Sequence, residues 1–149
     1  MAAGSDFMAL ALEEAEHAAA RGEVPIGAVI ALDGAVLASA GNRTRELNDP
    51  TAHAEVLAIR AACEALGSER LPGAHLYVTL EPCAMCAAAI SFARIARLYY
   101  GAADPKGGGV DHGGRFFDQP TCHHRPDVYS GFSETRAAAL LKDFFSERR

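Results

Sequence analysis

Apolar residues at Met8, Leu12, Ala15 and Ala19 recur at helical spacing, while Glu13, Glu14 and Glu16 face away. This pattern predicts a first helix, capped by Ser5 and ending near Gly22. Two β-rich runs follow, at 24–31 and 35–40. Asp33-Gly34 joins them, and that dipeptide favours the positive φ angles of a tight hairpin. The polar, turn-rich stretch 41–50 reads as a loop. A second helix is predicted over 53–66, with Leu57, Ala61 and Ala65 as its apolar face and Gly67 as its stop. A Pro72-Gly73 turn leads to a strand at 76–80, a helix from Cys83 to about Phe92 and a strand at 97–101.

The last three elements form a strand–helix–strand unit with a short crossover. Its two strands should therefore run parallel, with a right-handed connection. The crossover helix is apolar or small nearly all round (Ala84, Met85, Ala87, Ala88, Ala89, Ile90), the pattern of a buried helix. The stretch 102–132 is rich in Gly, Pro and His and reads as irregular chain with a short strand or helical turn. Helical periodicity resumes from Ser133. The sum is an α/β fold: a three-layer α/β/α domain around a mixed sheet of about five strands.

Composition narrows the class. At 149 residues and 15.7 kDa the chain has the size of one domain, spanning 1–149. A chain of that length buries about 68–70% of its unfolded surface without help from disulfides. Half of the residues are hydrophobic and 22% are charged, which argues against disorder. The net charge is −5, which excludes a protein that coats nucleic acid through bulk basic charge. The excess is uneven: residues 1–50 carry three basic and eight acidic groups, whereas each later third is balanced. A local basic surface therefore remains open to the later part of the chain. No apolar run approaches the roughly 20 residues that cross a membrane, and the start MAAGSDF lacks signal-peptide character. The expected location is the cytoplasm. In that reducing setting Cys63, Cys83, Cys86 and Cys122 are poor disulfide candidates.

The chemistry concentrates in His53-Ala54-Glu55 and Pro82-Cys83-Ala84-Met85-Cys86, with Asn42 in the preceding loop. Cysteines at i and i+3 lie on one helix face, so both sulfurs can reach one ion. Pro82 suits a helix start, and the free N–H groups of a first turn favour thiolates. His53 supplies a third ligand. His53 and Glu55 point the same way only if His53 stands at the helix entry, since i and i+2 diverge by about 200° inside a helix. Three protein ligands leave a tetrahedral zinc one open position, the arrangement of a catalytic site. Two thiolates and a neutral imidazole balance the 2+ charge. Glu55 is then a carboxylate free to take a proton from the attacking water and pass it on. A Cys-x-x-Cys pair alone also fits a structural half-site or a redox couple. Cys63 reads as a small core residue, and His17 and His75 as surface or packing histidines. His112, Cys122, His123 and His124 are too irregularly spaced for a second metal site.

His-x-Glu followed by Pro-Cys-x-x-Cys is the established signature of the zinc-dependent nucleoside and nucleobase deaminases, and this sequence resembles them. Further stretches are similar to the tRNA-specific adenosine deaminases of that superfamily. They include Glu23-Val24-Pro25-Ile26-Gly27-Ala28-Val29, Asn42-Arg43, the residues 49–55, Leu76-Tyr77-Val78-Thr79-Leu80-Glu81-Pro82-Cys83 and Asp143-Phe144-Phe145. The resemblance implies a cytidine-deaminase-like fold, one zinc per subunit and a homodimer. It implies hydrolytic deamination of a flipped-out adenosine to inosine at the wobble position of an arginine tRNA anticodon. Carried over, His53, Cys83 and Cys86 hold zinc and Glu55 shuttles protons to the ring nitrogen and the leaving ammonia. The Ala54 N–H and Asn42 would orient the base, and Asp104, Lys106, Phe144, Phe145 and Arg148 would lie near the anticodon loop.

Helical spacing from Leu140 and Leu141 makes one of the two phenylalanines a core residue and leaves the other for stacking. Asp104 also fits a turn cap before Pro105, and Lys106 a solvated side chain. The stretch 107–126 departs from the family pattern. A guanine or cytosine-type deaminase acting on a free base or nucleoside would share the same four site residues. A non-catalytic zinc module that binds nucleic acid would make Glu55 dispensable.

Overall fold

The computed structural model describes residues 4–147. The first helix, α1 (Gly4–Ala20), already includes Ser5, so the residue expected to cap it lies inside the helix. Phe7, Met8, Ala11, Leu12, Ala15 and Ala18 form its buried stripe, whereas Ala19 is only half-buried. The first strand, β1 (Gly27–Leu32), begins three residues later than its β-rich run, because Pro25 offers no N–H to a ladder. Asp33 and Gly34, at φ 53° and 79°, turn the chain into β2 (Ala35–Gly41). Both positive angles are those the dipeptide predicts.

The second helix, α2 (Ala54–Leu66), has His53 as its N-cap and a left-handed Gly67 at its end. Its buried face is Ala54, Glu55, Ala58 and Ala62. The expected stripe of Leu57, Ala61 and Ala65 faces outward instead: Ala61 and Ala65 are exposed and Leu57 is half-buried. Only the small 54–58–62 row lets the helix approach the sheet closely.

Next come β3 (His75–Leu80), α3 (Ala84–Phe92) and β4 (Arg97–Ala102). The segment 103–126 is irregular apart from one 3-10 turn at Phe116–Asp118. The chain ends with β5 (Asp127–Tyr129) and α4 (Glu134–Ser146).

The sheet order is β2-β1-β3-β4-β5. β1 pairs antiparallel with β2 and β3, while β3–β4 and β4–β5 are parallel, as the short crossover requires. Side chains alternate between two cores. Ala28, Ile30, Leu76, Val78, Leu98 and Tyr100 pack beneath α2 and α3. Val29, Ala31, Tyr77 and Ala102 pack with residues of α1 and α4. This is the expected three-layer arrangement. The crossover helix is less buried than its composition predicts. Cys86, Ala87, Ile90 and Ser91 face inward, but Ala84, Met85 and Phe92 are exposed. Among the described residues no helix is long and apolar enough to cross a membrane.

Candidate active site

Two helix starts meet beyond the carboxyl end of β3. His53 is the N-cap of α2 with extended backbone (φ −73°, ψ 153°), and Cys83 is the N-cap of α3 (φ −72°, ψ 176°). The helix entry anticipated for His53 is therefore real, and Glu55 lies in the first turn behind it. Cys83 stands one position before the helix rather than inside it, and Pro82 precedes the cap. Cys86 sits one turn on, fully buried.

His53 Nδ1 lies 3.6 Å from Cys83 Sγ and 3.5 Å from Cys86 Sγ. Among the described residues these three side chains form the group that could hold a metal ion, with all ligand atoms within 4.8 Å of one another. Tetrahedral zinc bonds of about 2.0–2.1 Å to nitrogen and 2.3 Å to sulfur separate the two ligand types by about 3.5–3.6 Å. The donor set and its spacing thus fit zinc, through Nδ1 of the histidine.

One of the two thiols is prepared for a cation. Cys83 is brought down to about 4, chiefly by the hydrogen bond from the Cys86 thiol, with the His53 contact assisting. Cys86 is pushed up by the same bond and by burial. His53 is raised by its contact with the Cys83 sulfur. The N-terminal N–H groups of α3 further favour the thiolate. Glu55 is 4% exposed. Burial lifts its carboxyl to about 7, against its own backbone N–H and the Cys86 thiol, which favour the charged form. A carboxyl that titrates near neutrality can both take and give a proton.

The remaining sequence candidates fall around this centre. Asn42 follows β2 and is buried; its Nδ2 donates to Thr44 Oγ1 at 3.3 Å. Ala54 is the first residue of α2, so its N–H has no partner within the helix. Asp104 closes a turn: its Oδ1 accepts from Lys106 N at 3.2 Å and Gly107 N at 2.9 Å. The Lys106 side chain is exposed. Phe144 is 6% exposed and belongs to the core beneath α4, so it offers no ring for stacking; Phe145 is 50% exposed. Arg148 lies outside the described residues.

The histidines and cysteine of the 107–126 stretch are spread among separate partners. His112 Nδ1 pairs with Glu81 at 2.7 Å, and His124 Nε2 with the Ile95 carbonyl at 2.7 Å. Cys122 Sγ lies 3.6 Å from Ser91 Oγ, and His123 is exposed. Cys63 is half-buried at the edge of the core.

Two buried carboxylates, Glu23 and Glu81, carry little signal in the local sequence pattern. Glu23 accepts the N–H groups of Arg45 and Glu46, at 3.2 and 2.7 Å, fixing the loop after Asn42. Glu81 accepts four backbone N–H groups from 104–112. A lone acid between an apolar strand and Pro82 was the only signal of the second.

Comparison with known proteins agrees with this geometry. The profile of the cytidine and deoxycytidylate deaminase zinc-binding region matches residues 1–102. The tRNA-specific adenosine deaminase of Agrobacterium fabrum is 70% identical over 149 residues, covering 100% of this chain and 98% of that one. A solved structure from a study of A-to-I editing by tRNA:A34 deaminases at the wobble position of transfer RNA superposes with a TM-score of 0.90. It is 73% identical and covers 91% of this chain and 98% of its own. Guanine deaminase from Bacillus subtilis superposes with a TM-score of 0.66 at 35% identity, covering 95% and 91%. Zinc-site geometry and near full-length identity point the same way, and the chain belongs to the cytidine and deoxycytidylate deaminase family, in its tRNA-specific adenosine deaminase branch.

Proposed function

We infer that this chain is a zinc-dependent hydrolase that converts adenosine and water to inosine and ammonia at the wobble position of a tRNA anticodon. An arginine tRNA is its substrate and a homodimer its working unit. The observation that carries the choice of substrate is the 70% identity, over the whole chain, to a tRNA-specific adenosine deaminase. The guanine deaminase shares the fold at half that identity.

His53, Cys83 and Cys86 hold the metal. When bound, zinc supplies the Lewis acidity that makes water nucleophilic near neutral pH. Glu55 then does the proton work. Its buried carboxylate takes one proton from the attacking water and delivers it to the ring nitrogen, then takes the second from the hydroxyl added to the ring carbon and delivers it to the departing amine. The Ala54 N–H and the Asn42 amide orient the base through its polar edge. Lys106 meets the anticodon backbone as a cation, on a turn that Asp104 shapes. Phe145 stacks on an unpaired base.

A homodimer accounts for the apolar surface of the outer helical layer. Met85, Ala88, Ala89 and Phe92 share one face of α3. Such a stripe is costly to leave in water.

The test compares zinc-loaded enzyme on the anticodon stem–loop of an arginine tRNA, free adenosine, cytidine and guanine, scored as inosine or ammonia released. Editing confined to the stem–loop is expected. Turnover of guanine or cytidine with the stem–loop unchanged would assign the chain to base or nucleoside deamination instead.

A further inference from the structure

One buried carboxylate gathers several backbone groups of the segment after β4. Glu81 is 2% exposed and lies between the end of β3 and the ligand Cys83. Its Oε1 accepts from Asp104 N at 3.0 Å and pairs with His112 Nδ1 at 2.7 Å. Its Oε2 accepts from the backbone N–H groups of Val110, Asp111 and His112, at 3.2, 2.9 and 3.1 Å. Five contacts therefore bring both ends of the 104–112 loop onto one side chain. The two ends cannot separate without leaving a buried charge short of donors, which is costly.

The loop so held abuts the start of α3. Gly109 N donates to the Pro82 carbonyl at 2.8 Å. A Cβ on Gly109 would stand 2.6 Å from Ala84 N and 3.0 Å from the Cys83 carbonyl carbon. A Cβ on Gly108 would stand 2.5 Å from Glu81 Oε2. The loop backbone thus presses against the first turn of the ligand helix, and only glycine permits that approach. At its start the same loop carries the Asp104 turn and the exposed Lys106.

We propose that Glu81 and His112 are positioning residues for RNA binding: together they fix the 104–112 loop, and with it Lys106, at the mouth of the zinc site. This rests on the tRNA-editing function inferred above. His112 is the exposed half of the clamp, with its side chain 36% accessible against 0% for Glu81. It seals the open side of the carboxylate. The clamp acts on the RNA-facing loop and not on the ligands, so its loss should weaken substrate binding before it slows chemistry.

Three variants test this. His112→Ala removes one donor from a partly exposed position and keeps the buried carboxylate. His112→Asn returns an N–H at the place of Nδ1. Glu81→Gln forces an amide NH2 against backbone N–H groups in either orientation. Each is compared with wild type for zinc content, for hydrogen exchange of the 104, 110, 111 and 112 amides, and for KM and kcat on the stem–loop. Loss of one hydrogen bond to a charged group predicts a KM rise of about tenfold for His112→Ala, with kcat within about threefold. Faster exchange at the four amides and full zinc content should accompany it. His112→Asn should restore KM, and Glu81→Gln should exceed His112→Ala in both exchange and KM.

Unchanged amide exchange in His112→Ala and Glu81→Gln overturns the clamp, whatever the substrate. Exchange that rises while KM holds overturns its link to RNA binding. Zinc loss in parallel with activity overturns it too, since Glu81 would then act through Cys83. Wild-type enzyme that leaves the stem–loop unedited would refute the tRNA function itself, and the amide exchange would still decide whether the clamp exists.

Discussion

His53 Nδ1 lies 3.5 Å from Cys86 Sγ, although 33 residues separate them in the chain. The contact exists because His53 caps α2, Cys86 lies in the first turn of α3, and both helices start at the same end of the sheet. On the proposed set of three protein ligands, loss of any one would leave too few to retain a zinc ion. His53→Ala and Cys86→Ala should both lose metal after dialysis, measured by elemental analysis, and lose activity with it. Full zinc occupancy in either variant would require a different ligand set.

Glu55 sits among these ligands without being needed as one. Glu55→Gln keeps shape and burial but cannot take a proton. Deamination should fall by about 100- to 10,000-fold, the usual contribution of a positioned acid–base group. Metal content should stay at the wild-type level. Turnover close to wild type would refute the proton-shuttle role and favour a zinc module that merely binds nucleic acid.

These residues were legible in the sequence for a physical reason. The ligands fall in two short motifs, each at a helix start, so local spacing already encodes their convergence. The same is true of the Asp33-Gly34 hairpin and the parallel β3–β4 unit. Glu81 was illegible because the donors it gathers come from 23 to 31 residues downstream, in a stretch without periodicity. The face of α2 was misread for another reason. Both Ala54–Ala58–Ala62 and Leu57–Ala61–Ala65 satisfy helical spacing. Apolarity marks a stripe that wants a partner but does not say which partner it meets.

Metal binding should release protons. With no ion bound, the hydrogen bond shared by the two thiols lowers Cys83 to about 4 and raises Cys86, which burial raises further, so the pair should still hold one proton near neutral pH. A divalent ion needs both sulfurs deprotonated and the imidazole neutral. Zinc uptake at pH 7 should therefore release about one proton from the thiol pair, plus the protonated fraction of His53. Apparent affinity must fall as pH falls, since protons then compete for the same atoms. Calorimetric titrations in buffers of different ionisation enthalpy measure the count, and no net proton release at pH 7 would contradict the assigned protonation.

The two adjacent phenylalanines of α4 should separate stability from substrate binding. Phe144 is buried, so Phe144→Ala should cost about 3–5 kcal/mol, read as a lower unfolding midpoint. Phe145 is half exposed, and Phe145→Ala should leave that midpoint nearly unchanged. Its loss should instead weaken stem–loop binding by about 1–3 kcal/mol, the worth of one base–aromatic stack. Equal stem–loop affinity in Phe145→Ala and wild type would remove it from the RNA surface.

The outer face of the α2–α3 layer carries the last prediction. Phe92 is 67% exposed at the end of α3, in line with Met85, Ala88 and Ala89. In an isolated chain, a charge at this position would lie mostly in water and should not disturb the fold. In a homodimer joined through this face, the same charge would be buried against apolar side chains, at a cost no partner offsets. Phe92→Glu should therefore shift the sedimentation mass from two chains to one. The unfolding midpoint of the resulting monomer should be independent of protein concentration, whereas that of the wild type should rise with it. If Phe92→Glu sediments as wild type does, the chains do not associate through the α3 stripe. A further comparison with Leu57→Glu would then show whether α2 alone forms the contact.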